Sequence, residues 1–98
     1  MRDVVWSDDA LLEFDHAVAA IAADDGQAAT LVADWIEAAI DLLAERPIGR
    51  PGRVSGTYEK SVLRTSYIVA YALSERTLTV LHIIHGRREW LEDAWPKE

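Results

Sequence analysis

The chain has no cysteine, which excludes disulfides and thiolate metal sites. That absence fits a reducing cytoplasm. It also has no long apolar run. Nothing approaches the ~20 apolar residues of a spanning helix, and Met1-Arg2-Asp3 opens no signal-like segment. The expectation is a soluble cytoplasmic protein with no membrane partner. Bases are nearly missing from the first half. Residues 1–45 hold one base against eleven acids, a net of −10, whereas residues 46–98 hold nine bases against six acids, a net of +3. The first half should repel phosphate and attract a basic partner, and the second half can face an anion. No continuous basic stripe is present for broad or sequence-specific gripping of nucleic acid.

Proline and glycine are scarce, at three and five residues, and they are concentrated. Pro47–Glu59 holds two of the prolines, three of the glycines, and Arg50 and Arg53. Such a run resists both helix and ladder. What remains is rich in apolar residues. A hydrophobic fraction of 50% over 98 residues supports a core and fits a single domain spanning residues 1–98.

The run Val4-Val5-Trp6 predicts a strand over residues 2–6. Ser7 is a good N-cap, and Asp8 and Asp9 suit the positive end of a helix dipole. Leu11, Phe14, Val18 and Ile21 then recur on one helical face. Gly26 is the expected C′ residue of that helix. A second helix is predicted from Gln27 to Glu45, with Leu31, Trp35, Ala39 and Leu42 beside Val32, Ile36, Ile40 and Leu43. A face that wide is expected to be buried against more than one neighbour. After the Pro47–Glu59 hinge come three strand-like segments, Tyr58–Leu63, Tyr67–Leu73 and Thr77–Ile84. In the last, Leu78, Val80, His82 and Ile84 alternate with Thr79, Leu81, Ile83 and His85. A helical turn is expected from Arg88 to Ala94, before Pro96. The order β-α-α-β-β-β predicts a two-layer α+β fold. An N-terminal helix hairpin packs on an antiparallel-rich sheet, followed by a short C-terminal segment. The other sheet face is left open or covered by a partner.

The residues also resemble a known family. Val5-Trp6-Ser7 with Ala10 and Leu12, Ala28-Ala29, Ile40 and Leu43 before Pro47, and the dense run Gly49-Arg50-x-Gly52-Arg53-x-x-Gly56-Thr57-x-Glu59 occur in order. Tyr67-Ile68-Val69-x-Tyr71 and Ile83-x-His85-Gly86-Arg87-Arg88-x-Trp90 follow. Together they resemble the RelE/ParE toxins of bacterial type II toxin–antitoxin modules, and the Gly-Arg-Pro-Gly-Arg and His-Gly-Arg-Arg pieces look like the ParE branch. The resemblance implies a toxin neutralised by a cognate ParD-like antitoxin, in a hetero-oligomer with it. It implies DNA gyrase as the target for the ParE branch. For the RelE branch it implies ribosome-dependent mRNA cleavage.

RNA cleavage needs a base for the 2′-OH, an acid for the leaving oxygen and cations on the phosphate. Arg64, His85 and Arg87 are the candidates for that set. No tyrosine follows residue 71, where the RNase branch carries its C-terminal aromatic, and the two predicted helices supply no cations. The gyrase reading is therefore preferred, with Arg87, Arg88 and Trp90 as first target contacts and Arg50 and Arg53 as second. Arg50 and Arg53 have an alternative role, pairing with Glu59 or loop carbonyls. For the antitoxin, Phe14, Ala17 and Ile21 on the first helix and the acids Asp34, Glu37 and Asp41 on the second are the candidate surface. Tyr67, Tyr71 and Trp35 read as core. His82 and His85 lie an odd number of residues apart, point to opposite faces and make no metal pair. No cofactor or metal is called for.

Overall fold

The computed structural model describes residues 1–86. The expected helical turn at 88–94 lies outside them, as do Arg87, Arg88 and Trp90. The elements are β1 (Asp3–Trp6), α1 (Asp8–Ala22), α2 (Gly26–Glu45), β2 (Arg50–Pro51), β3 (Tyr58–Ser61), β4 (Tyr67–Leu73) and β5 (Thr77–His85). The sheet order is β1-β5-β4-β3-β2. β1 runs parallel to β5, with Asp3 opposite Thr77 and Trp6 opposite Val80, and the other pairs are antiparallel. The fold is the expected α+β arrangement, with a helix hairpin on a mixed sheet.

Ser7 joins the layers. Its Oγ accepts from the Ala10 N–H at 3.0 Å, capping α1, and donates to the Leu81 carbonyl on β5 at 2.7 Å. α1 thus starts locked to the sheet. Its fully inward positions are the alanines Ala10 and Ala17, not the bulky stripe, and Leu11 is exposed. Small residues let the helix lie close to β5. Gly26 is not the C′ residue of α1. It is the first residue of α2 and has no positive φ, because Asp25 caps that helix by accepting from the Gln27 and Ala28 N–H groups. α2 stops at Arg46, whose extended backbone is what a following proline imposes.

Only one of the two α2 stripes is buried. Ile36, Ile40 and Leu43 join Val62, Val69, Tyr71, Leu78, Val80 and Ile83 in the main core. Leu31 and Leu42 stay exposed, and Trp35 and Ala39 are half-buried. Among the described residues, the Trp35, Ala39 and Leu42 side of α2 borders Ile48 and the turn after β3 across an open cleft.

Three further expectations are corrected at the sheet. The hinge does form a ladder, since Arg50 and Pro51 pair with Glu59 and Tyr58. Proline is tolerated there because β2 is an edge strand. β3 ends at Ser61 rather than Leu63, because Arg64 turns the chain with φ +68. The alternation on β5 is broken. Ala70 faces His82 and Tyr71 faces Val80, so Leu81 is an extra, bulged residue. Beyond the bulge the faces exchange. Ile83 shares the core with Leu78 and Val80, whereas Ile84 joins Ile68 and Ala70 in a second cluster. That second face is already buried at its centre.

β5 outruns β1 at Val80. Past that point Glu13 of α1 takes the place of a strand. Its Oε1 accepts the Ile83 N–H at 3.0 Å, and both carboxylate oxygens lie 3.3 Å from His82 Nδ1. A side chain covers the exposed edge that a neighbouring strand would otherwise fill.

Candidate functional site

The hinge loop closes around one buried acid. Glu59 is 2% exposed. Arg50 Nη2 lies 3.8 Å from its Oε1 and Arg53 Nε 3.4 Å from its Oε2. The Arg53 backbone N–H donates to Oε2 at 2.9 Å. These partners offset the cost of removing a carboxylate from water. The loop's own bonds run from Gly52 N–H to the Thr57 carbonyl and from Thr57 Oγ1 to the Val54 carbonyl. Gly56 supplies the left-handed turn at φ +84. Of the two roles open for Arg50 and Arg53, pairing with Glu59 is the one the geometry displays. The Arg50 side chain still keeps most of its surface in solvent.

Tyr71 holds the other side of the loop. Its hydroxyl accepts the Gly49 N–H at 2.9 Å, and its ring stacks on Tyr58 with centroids 5.7 Å apart. A Cβ at Gly49 would collide with that hydroxyl and with the Glu59 carbonyl. Burial pushes the Tyr71 pKa up, against the lowering effect of the Gly49 N–H, and the neighbouring Tyr58 adds a smaller upward push.

The acidic residues of the hairpin frame a groove. Val4, Trp6, Leu11, Phe14 and Ile40 line it, with the carboxylates of Asp15, Glu37 and Asp41. Trp6 meets Phe14 edge-on at 5.3 Å. Phe14, Glu37 and Asp41 from the expected antitoxin surface therefore come together, with Asp34 exposed one turn earlier on α2. Ala17 is buried and Ile21 half-buried, and neither lines this groove. Sequence reasoning missed Asp15 and Trp6, because their approach to α2 depends on how β1 and the hairpin dock.

The residues named for RNA cleavage are not brought together. Arg64 stands over the Trp35 ring, 5.8 Å from its centroid. His85 ends β5 and meets Tyr67 edge-on at 5.1 Å. His85 instead lines a cleft of about 520 Å³ with Glu13, His16, Tyr67 and Ile83. The opposed faces expected for His82 and His85 follow from their partners, Ala70 and Tyr67, three residues apart on β4. Among the described residues no group of three or more metal-ligating side chains is assembled, and no described helix is long and apolar enough to cross a membrane.

Comparison with known proteins places this architecture. The family model described as the ParE toxin of the type II toxin–antitoxin system parDE matches residues 4–90. A Sinorhizobium fredii (strain NBRC 101917 / NGR234) protein named "Putative toxin Y4kP" is 38% identical over 90 residues, covering 91% of this chain and 93% of that protein. A solved structure titled "Chromosomal ParDE TA system from P. aeruginosa" shares the fold. Its TM-score is 0.77 at 19% identity, over 87% of this chain and 96% of that one. A match running from β1 past the end of β5, together with a full-length relative at that identity, makes the chain a member of the ParE toxin family of type II toxin–antitoxin systems.

Proposed function

We propose that this ParE-family toxin arrests growth by binding DNA gyrase, without chemistry of its own, and that a ParD-like antitoxin neutralises it. The observation that carries the choice of a contact mechanism over RNA cleavage is where Arg50, Arg53 and Arg64 go. Arg50 and Arg53 are drawn to Glu59, and Arg64 lies on Trp35. The face away from the helices carries Glu59, Ala70, Ile68, His82 and Ile84 along its centre, and all five are buried, which leaves no open cradle for a scissile phosphate there. The cleft beside His85 has proton-exchanging groups, yet neither lysine nor arginine is among its described lining residues. Arg87, Arg88 and Trp90 remain the first choice for target contact, with Arg50 and Arg53 second.

The antitoxin surface follows from charge. The groove lined by Phe14, Glu37 and Asp41 has an apolar floor and a carboxylate rim, which suits a basic amphipathic segment. Purified protein is expected to inhibit gyrase supercoiling and to stabilise cleaved DNA, and to leave mRNA intact in a translation reaction. Translation-dependent mRNA cleavage with gyrase unaffected would reverse the assignment to the RelE-like alternative.

A further inference from the structure

The sheet face away from the helices is dry at its centre. Ile68, Ala70 and Ile84 are 8%, 0% and 1% exposed. They form a cluster of their own, to which no residue of α1 or α2 belongs. The helices pack on Val69, Tyr71, Leu78 and Val80, on the opposite side. A sheet with helices on one face commonly leaves the other polar and solvated. Glu59 has the hinge arginines beside it, and Glu13 reaches His82 at the β5 edge. The three apolar residues between them need a cover of another kind.

The chain leaves β5 beside this cluster. The Gly86 N–H donates to the Ser66 carbonyl, and a Cβ at Gly86 would stand 3.4 Å from Ile68 Cδ1. Twelve residues follow Gly86. Ala70, at the middle of the cluster, lies about 13 Å along β4 from Ser66. Twelve residues cover that distance even when helical, at about 18 Å. Their composition suits an apolar seat. Leu91, Ala94 and Trp95 share one side at helical spacing, and Glu89, Glu92 and Asp93 take the other.

We propose that residues 87–98 fold back over this face, with Leu91, Ala94 and Trp95 seated on Ile68, Ala70 and Ile84. The cover is the chain's own end, not a second molecule. One consequence rests on the gyrase reading above. Leu91 and Trp95 are positioning residues, which act on the target only through this seat. The seat fixes where Arg87, Arg88 and Trp90 stand, so that the target meets them in one arrangement and little order is lost on binding.

The lack of cysteine makes the test direct, since one introduced thiol reports alone. Ala70→Cys in the full-length chain puts a thiol under the proposed cover, and its labelling by a water-soluble maleimide is timed. Ile84→Cys repeats the measurement if the first variant does not fold, and thermal melts check every variant. Labelling is expected to be slow, to quicken by about tenfold or more when Trp95→Ala is added, and to be slow again with Trp95→Phe. Fast labelling without a second mutation, or slow labelling that Trp95→Ala and Leu91→Ala leave unchanged, overturns the proposal. Protection that is lost on dilution also overturns it, by assigning the cover to a second copy. Gyrase inhibition should fall with Trp95→Ala and return with Trp95→Phe, whereas Arg87→Ala should lower it with the thiol still covered. Full inhibition by a Trp95→Ala variant whose thiol is exposed overturns the positioning role. If the wild type leaves gyrase unaffected, the target reading falls, and the labelling rates still decide the cover.

Discussion

The hinge loop and the β3–β4 turn both carry arginine, and they differ in what their side chains face. In the hinge, Arg50 and Arg53 point at Glu59, and Gly49 is pressed against Tyr71. In the turn, Arg64 lies over Trp35 beside the exposed Leu63. The hinge is the densest motif in the sequence, and its contacts are mostly internal. The turn is inconspicuous, yet it borders an open apolar cleft lined by Trp35, Leu42, Ile48 and Leu63. A cluster of glycine, proline and arginine can mark a place where the backbone has unusual needs rather than an open surface.

Mutations of decreasing expected effect sharpen that contrast. Glu59→Ala strips the buried partner from two guanidinium groups and the Arg53 amide, and should cost about 3 kcal/mol in a denaturant titration. If stability stays at the wild-type level, the hinge is not self-contained and the contrast fails. Gly49→Ala should cost about 2 kcal/mol, since the neighbouring Tyr71 and Glu59 leave no room for a methyl. Tyr71→Phe removes one hydrogen bond to a backbone amide, a loss of about 1 kcal/mol. It also tests a pH effect. Burial holds the native Tyr71 proton beyond the ordinary value near 10, so the unfolded chain releases its proton first. This contribution is intact below about pH 10 and falls as pH rises through the native pKa. Urea midpoints measured across that range should decline less for Tyr71→Phe than for the wild type. Arg64→Ala gives the smallest change, about 0.5 kcal/mol or less, because a solvent-facing cation–π contact is weak. A larger loss would mean that the turn is also structural.

Local signals were readable from the sequence. Ser7 caps the first helix, Tyr67–Leu73 is a strand over the span expected, and Pro47 ends the second helix. The family motifs were readable too. The misreadings depend on contacts between distant segments. Asp25 competes with Gly26 for the helix boundary through two hydrogen bonds that a residue list does not rank. The Leu81 bulge exists only in relation to β4, so no periodicity within β5 can reveal it. Leu31 and Leu42 read as core because α2 is apolar on two stripes, and only the assembled sheet shows that one stripe lacks a neighbour. Of the candidate surface residues, Phe14, Glu37 and Asp41 share a groove because α1 and α2 pack side by side. Arg64 and His85 part company because the turn carries Arg64 toward α2.

The parallel pairing of β1 with β5 also sets a timetable. Asp3 finds its partner at Thr77, so the sheet cannot close until nearly all of the described chain is available. During synthesis the helix hairpin emerges long before the strand it must cover. Contacts so distant in sequence slow folding. A newly made molecule therefore passes through an interval in which its apolar helical faces are bare. The pairing of β1 with β5 holds completion of the sheet back until Thr77–His85 has been made.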